Sequence, residues 1–198
     1  MKRLIVKTAG ITLAVIVGLA VLGFGSVTLF APGAMANLCK RTGSYRTAAW
    51  YAGLEYQKTK DIGDLREVIY LSDLLQRYDS LKEYCPQMLD HADFEAFCRA
   101  ADQAEDSPYV QLGGYRMFVY SVYAEALYRT GEKESALTVA VDETAKSGYT
   151  EINPVRALIS CAAEDRSFLT QLLARLETLT VPNGQDALNR DIAMLKQG

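Results

Sequence analysis

The apolar and polar positions divide the chain into one long apolar segment followed by a series of short amphipathic segments. No charged residue occurs from Thr8 to Cys39, and the most apolar part runs from Ile11 to Ala31. A helix needs about 20 apolar residues to cross the hydrocarbon core of a bilayer. The segment from Ile11 to Ala31 is therefore predicted to be a transmembrane helix in contact with the lipid bilayer, rather than a buried helix of a soluble core.

The same segment has features of both a retained anchor and a cleaved signal peptide. Lys2, Arg3 and Lys7 form a basic stretch before it, and Ala34-Met35-Ala36 has the small-x-small form that signal peptidase accepts. Its apolar run is longer than the roughly 7–15 residues of a usual signal peptide. We expect residues 1–36 to be an uncleaved anchor. The alternative is that a signal peptidase cleaves the chain after Ala36 and the rest of the protein is secreted.

The basic residues on the two sides of the segment nearly balance. Lys2, Arg3 and Lys7 precede it, and three further basic residues follow closely, at positions 40, 41 and 46. Because basic loops stay preferentially in the cytoplasm, the short basic N-terminal tail favours a cytoplasmic N-terminus. The sequence thus predicts a single-pass protein whose remaining residues are extracytoplasmic.

After Ala36, apolar positions recur at helical spacing. Leu65, Val68 and Ile69 lie on one face of a predicted helix, and no stretch alternates with the period of two that half-buried strands show. Helix starts are predicted from Ser44, Asp64, Asp93 and Ser167 as caps and from Pro154 at a first helical position, and Pro86 is predicted to kink or restart a helix. The sequence predicts an all-α domain over residues 37–198 with about eight or nine helices, in which the segment from Tyr115 to Thr130, apolar nearly all round, is the most buried.

Size and charge narrow the class of protein. The chain has 198 residues, so roughly 160 remain after the apolar segment, enough for one domain with its own core. Apart from Lys2, Arg3 and Lys7, there are 18 basic and 24 acidic residues. Nucleic acid is not expected as a partner, because phosphate binding requires a basic face.

Two stretches resemble the helical hairpins of tetratricopeptide-repeat proteins. In the better one, from Tyr120 to Ala140, small, large and turn-glycine positions of the repeat are occupied by Ala124, Leu127, Gly131, Ala136 and Ala140. In the weaker one, from Ala49 to Ile69, the matching residues are Gly53, Tyr56, Leu65 and Ile69, but Lys60 stands where the family has its turn glycine. The resemblance covers about half of the domain and has no strict 34-residue period. It implies an α-solenoid whose concave face binds a peptide or another protein.

Residues suited to catalysis or metal binding are few. His91 is the only histidine, and we expect it to lie exposed in a turn where Asp93 caps a helix. The acidic pairs Asp142-Glu143 and Glu164-Asp165 are predicted to be solvated surface residues or helix-end features rather than acid/base groups, since consecutive helix positions point in different directions. No phosphate-binding loop, zinc-protease motif or nucleophile elbow occurs in the sequence. No catalytic residue, metal site or cofactor is therefore predicted.

The cysteines and tyrosines supply the remaining candidate sites. Cys85 and Cys98 lie almost symmetrically about a predicted turn, so they form a candidate disulfide outside the cytoplasm; the alternative is two small buried apolar residues. Of the 12 tyrosines, Tyr45, Tyr109 and Tyr149 lie near helix ends or in loops. We expect these three to be exposed and to be candidate contacts for a partner.

These observations favour a membrane-anchored, non-catalytic module for protein–protein interaction. Two other hypotheses stay open. The first is an extracytoplasmic helical receptor for a small apolar ligand or lipid. It predicts a closed apolar cavity lined by the helix from Tyr115 to Thr130. An enzyme of unrecognised type requires a polar cleft.

Overall fold

A computed structural model describes residues 31–105, 107, 109 and 113–197. These residues form ten α-helices and no strand, which confirms the all-α fold. The predicted transmembrane segment, from Ile11 to Ala31, lies outside the described residues except for Ala31. Within the described ranges, no helix has the length and apolar character needed to cross a membrane.

The chain divides between Leu71 and Ser72 into two compact units. The first unit contains α1 (Pro32–Arg41), α2 (Tyr45–Thr59) and most of α3 (Ile62–Leu74). The second begins in the last turn of α3. Its helices are α4 (Tyr78–Leu89), α5 (Phe94–Gln103), α6 (Tyr115–Arg129), α7 (Lys133–Ser147), α8 (Pro154–Cys161), α9 (Arg166–Leu176) and α10 (Gln185–Gln197).

In the first unit, α1 and α2 form a helical hairpin. The turn between them is closed by the Ser44 N–H, which donates to the Cys39 carbonyl at 2.8 Å. Ala36 on α1 and Ala48 and Ala52 on α2 are buried. Such small side chains let two helix backbones approach closely, which explains why these two helices pack along their length.

The turn from α2 to α3 is built differently from the sequence prediction. Lys60, in the turn-glycine position of the repeat, has the left-handed conformation that glycine favours, with φ of 55°. Asp61 Oδ1 then accepts from the N–H groups of Gly63 and Asp64, at 2.8 and 3.2 Å. The prediction that Asp64 caps this helix was therefore wrong, because Asp61 supplies the capping carboxylate.

In the second unit, successive helical hairpins pack around α6. Eight of the fifteen residues of α6 are buried, more than in any other described helix, as the sequence predicted. Helices α4, α7 and α8 pack directly against α6, and α9 packs against α7 and α10. The arrangement is compatible with a helical repeat.

The helix starts in this unit confirm one sequence prediction and correct another. α8 begins at Pro154, as predicted, and Asn153 caps it by accepting from the Arg156 N–H. α9 begins at Arg166 because Asp165 accepts from the Phe168 N–H at 3.1 Å, so the predicted cap at Ser167 was wrong. Pro86 lies inside α4, which continues through it to Leu89 and does not restart.

Candidate functional site

The three tyrosines predicted to be exposed lie in different environments. Tyr45 is 41% exposed at the start of α2. Tyr109 is half-buried and packs edge-on against Tyr115, with ring centroids 5.1 Å apart. Tyr149 is only 3% exposed, so its predicted exposure was wrong.

Tyr149 is buried because the loop that carries it turns inward. Gly148 ends α7 with φ of 97°, and the Tyr149 N–H then donates to the Asn183 carbonyl at 3.0 Å. The Tyr149 hydroxyl donates to Asp191 on α10 at 2.6 Å. The sequence predicts a loop at Tyr149 but carries no signal that a second loop, which precedes α10, packs against it. We call the contact of Gly148 and Tyr149 with Asn183 and Gly184 the loop clamp.

Asp191 joins the clamp to α8. Arg156 Nε donates to Asp191 Oδ2 at 2.8 Å, and its guanidinium lies 5.1 Å from the centre of the Tyr149 ring. Burial, followed by the hydrogen bond to Asp191, raises the pKa of Tyr149 above its ordinary value. The phenol therefore stays protonated near neutral pH, and the cluster acts as a structural connection between α8 and α10.

An ion pair with a buried carboxylate connects α6 to α7. Arg116 Nε donates to Glu143 Oε1 at 2.6 Å, its second nitrogen donates to Oε2 at 3.3 Å, and the Ser147 hydroxyl donates to Oε1 at 2.5 Å. Arg116 also pairs with Glu95 on α5. The hydrogen bond to Glu143 raises the pKa of Arg116 above its ordinary value.

This ion pair corrects one sequence prediction. Glu143 was predicted, together with Asp142, to be a solvated surface residue or a helix-end feature, but it is 2% exposed. Nothing near Glu143 in the sequence marks it as buried, because its partner Arg116 lies on a different helix.

The other candidate residues lie at the turn between α4 and α5. His91 is half-buried, and its Nδ1 accepts from the Asp93 N–H at 3.2 Å. Asp93 occupies the cap position of α5, but its side chain accepts no capping hydrogen bond. In the described part of the chain, no three His, Cys, Asp or Glu side chains are grouped closely enough to hold a metal ion.

Cys85 and Cys98, the candidate disulfide, are buried free thiols in the structure. Burial raises the pKa of Cys85 above its ordinary value and that of Cys98 to about 12. The thiolate, which is the reactive form, is therefore scarce at neutral pH in both residues.

We expect both thiols to react slowly with iodoacetamide in the folded protein and rapidly after denaturation. The measurement is mass spectrometry of the alkylated full-length chain, denatured without reductant. Modification of both Cys85 and Cys98 would exclude the disulfide. If both stay unmodified until reductant is added, they are bonded to each other or to another thiol, and non-reducing peptide mapping would distinguish these cases.

A groove open to solvent lies at the α8–α9–α10 end of the second unit. We call it the C-terminal groove. Its polar half has a volume of about 620 Å³ and is lined by Tyr128, Arg129, Ser160, Cys161, Ala163, Glu164, Asp165 and Arg166. Its apolar half has a volume of about 410 Å³ and is lined by Ala163, Arg166, Leu169, Thr170, Leu173, Met194 and Leu195. Ala163 and Arg166 line both halves, so the two adjoin at these residues.

The polar half is held in shape by Asp165. This carboxylate caps α9 and also accepts from Lys133 Nζ at 2.6 Å and from the Tyr128 hydroxyl at 3.2 Å. Cys161 lies here too, and burial raises its pKa to about 11, so it is not an activated nucleophile. Arg166 is exposed and has no ion-pair partner among the described residues.

The apolar half is formed by one face of α9 and the end of α10. Leu169 and Leu173 are one helical turn apart on α9 and are only partly buried. Met194 is 63% exposed. Methionine has a flexible side chain that adapts to differently shaped apolar partners, so this half offers an adaptable apolar surface next to a free cation.

Comparison of the chain with protein-family models, with curated proteins and with solved structures found no match. The tetratricopeptide resemblance therefore stays a prediction.

Proposed function

We propose that this protein is a membrane-anchored, non-catalytic interaction module that binds a protein or peptide partner in the C-terminal groove. Residues 11–31 would anchor it in the bilayer, with the N-terminus in the cytoplasm and the helical units outside. The observation that carries the proposal is the groove itself, where an apolar surface on α9 and α10 adjoins the exposed Arg166.

The helical hairpins agree with the tetratricopeptide-like part of the proposal. Ala124 and Leu127 on α6, and Ala136 and Ala140 on α7, are all buried at the positions that the repeat reserves for packing. Gly131 between them has φ of 90°. Proteins built from stacked hairpins commonly bind peptides along an exposed helical surface.

The lining of the groove indicates the chemistry of the partner. Leu169, Leu173 and Met194 suit apolar anchor residues, as in other grooves that receive a peptide helix. Arg166 suits an adjacent carboxylate, because a guanidinium binds carboxylates through two parallel hydrogen bonds. We therefore propose a peptide segment that carries apolar residues next to an acidic residue.

The groove favours a peptide over the small apolar ligand of the alternative hypothesis. That hypothesis predicts a closed cavity lined by α6. Instead, α6 is packed against α4, α7 and α8, and the apolar half of the groove is open and lies along α9 and α10. An open, partly polar surface buries too little of a small ligand for tight binding.

The test is site-specific photo-cross-linking of the full-length protein in its native membranes. A photoreactive phenylalanine analogue at Thr170 or Met194, which line the groove, should give a discrete adduct with one partner. The matched controls are Gln171 on α9 and Asn189 on α10, which are exposed but do not line the groove. Equal adducts at all four positions, or none, would contradict the proposal.

Charge reversal tests the acidic part of the partner. Arg166→Glu should greatly reduce the adduct formed at Met194. It should not weaken α9, because an acidic residue in the first turn interacts favourably with the helix dipole. An unchanged adduct would leave the apolar groove as the binding site and remove the carboxylate from the proposal.

A further inference from the structure

One face of α9 directs a straight row of side chains into the apolar half of the C-terminal groove. The row occupies helix positions i, i+3, i+4 and i+7 and consists of Arg166, Leu169, Thr170 and Leu173. We call these four residues the α9 row. Its two ends are about 10 Å apart along the helix axis, at 1.5 Å per residue. A partner that binds in this half must therefore match contacts that repeat with the period of a helix.

The α9 row lies beside the face of α9 that packs into the core. That inner face carries three side chains that are at most 1% exposed, Phe168, Leu172 and Leu176. In the α9 row, by contrast, Leu169 and Leu173 are only partly buried and Thr170 is exposed. In stacked helical hairpins, each hairpin is covered by the helices of its neighbour. The α9 row therefore has the character of a surface on which one more helix packs.

The apolar half offers few hydrogen-bonding groups to the backbone of a bound peptide. Arg166 and Thr170 are the polar residues that line it, and the Thr170 hydroxyl donates to the Arg166 carbonyl at 2.8 Å. The residues that the structure describes form no strand whose edge could pair with a peptide. An extended peptide would therefore bury its own N–H and C=O groups without partners here, whereas a helix satisfies these groups internally.

We infer that the partner segment binds as an amphipathic α-helix that lies along the α9 row, with an acidic side chain at Arg166. This inference rests on the proposed function, which places a peptide partner in the groove. Arg166 is the one charged residue that lines the apolar half, so it fixes where the acidic side chain lies. A helix alongside α9 repeats its contacts every three or four residues, so its apolar anchors lie about four and seven positions from the acidic residue. An extended chain covers the same distance in about three residues.

Two synthetic peptides of equal composition test this spacing. The helix-spaced peptide has leucines about four and seven positions from a glutamate, and the strand-spaced peptide has them about two and four positions from it. Both are made in forward and reversed order, because the α9 row does not fix the direction of the bound helix. Fluorescence anisotropy measures their binding to the full-length protein in phosphatidylcholine nanodiscs, with empty nanodiscs as the blank. We expect the helix-spaced peptide to bind at least about ten-fold more tightly than the strand-spaced peptide, and a central proline to abolish this difference.

Variants of the protein locate the bound peptide on the α9 row. Thr170→Glu places a carboxylate one turn from Arg166 and should weaken binding of the helix-spaced peptide, because it competes for the guanidinium and repels the glutamate of the peptide. Gln171→Glu makes the same change at an exposed position of α9 outside the row and should not. Arg166→Glu should also weaken binding, and a peptide with lysine in place of its glutamate should restore it. Circular dichroism checks that each variant is folded.

The outcomes separate this inference from the proposed function. Equal binding of the two peptides, binding of neither, or binding that Thr170→Glu leaves unchanged would each overturn the helical partner. The photo-cross-link at Met194 then decides the proposed function independently. A discrete adduct would keep the groove as the binding site for a partner of another conformation, whereas no adduct would overturn both.

Discussion

Replacing Gly184 with alanine is expected to lower the free energy of unfolding by about 3 kcal/mol. Gly184 has φ of 77°, and a Cβ at this position would overlap the carbonyl oxygen of Tyr149. The left-handed conformation costs a non-glycine residue about 1–2 kcal/mol, and forced overpacking adds about 1–3 kcal/mol. The clash is with backbone, so no side-chain rotation relieves it, and the loop clamp must open.

Gly131→Ala is the matched control for this prediction. Gly131 also has a positive φ, of 90°, but a Cβ there would meet no atom within 4 Å. This variant should lose only about 1–2 kcal/mol, from the conformation alone. Urea denaturation of the full-length protein in detergent, followed by circular dichroism, measures both. Equal losses in the two variants would mean that the clamp is not closed as described.

Replacing Arg116 with methionine is expected to lower the free energy of unfolding by about 3 kcal/mol or more. The change leaves the Glu143 carboxylate buried without its main counter-charge, and breaking a buried pair on one side typically costs about 3–5 kcal/mol. Methionine keeps an apolar chain against Tyr120, so the loss reports on the ion pair rather than on packing. The same denaturation experiment measures it.

Two further variants test whether that loss of stability comes from the ion pair. Arg116→Met with Glu143→Leu should recover much of the lost stability, because a buried ion pair replaced by apolar side chains is often neutral. Arg175→Met removes the exposed pair with Glu134 and should change stability by less than about 1 kcal/mol. A double variant that is as unstable as Arg116→Met alone would contradict the role assigned to the ion pair.

The helices and their buried faces could be predicted from the sequence because they depend on local periodicity. The apolar character of Tyr115 to Thr130 is visible in the sequence, and α6 is the most buried helix described. The caps were less predictable: Asp61 and Asp165 cap their helices, whereas the sequence favours Asp64 and Ser167. Candidate caps a few residues apart in a polar loop look alike until the turn geometry is known.

The candidate site could not be predicted from the sequence because it depends on contacts between segments that are distant in the chain. The burial of Tyr149 requires Asn183, and the burial of Glu143 requires Arg116. The groove likewise combines α9 with Met194 from α10. A single sequence carries the helical spacing of each segment but no signal that pairs one segment with another.

The loop clamp also has a consequence for the order of folding. Between α6 and α7 and between α7 and α8, the packed residues are close in sequence, so these contacts can form early. The clamp joins residues separated by two whole helices, and Asp191 holds α10 through the same loop. Docking of α10 is therefore a late, non-local step, and its amides should exchange with deuterium through a partial opening that leaves α6 protected. Because α10 supplies Met194 and Leu195, each such opening dismantles the groove while the core around α6 persists, and a bound peptide would slow this exchange.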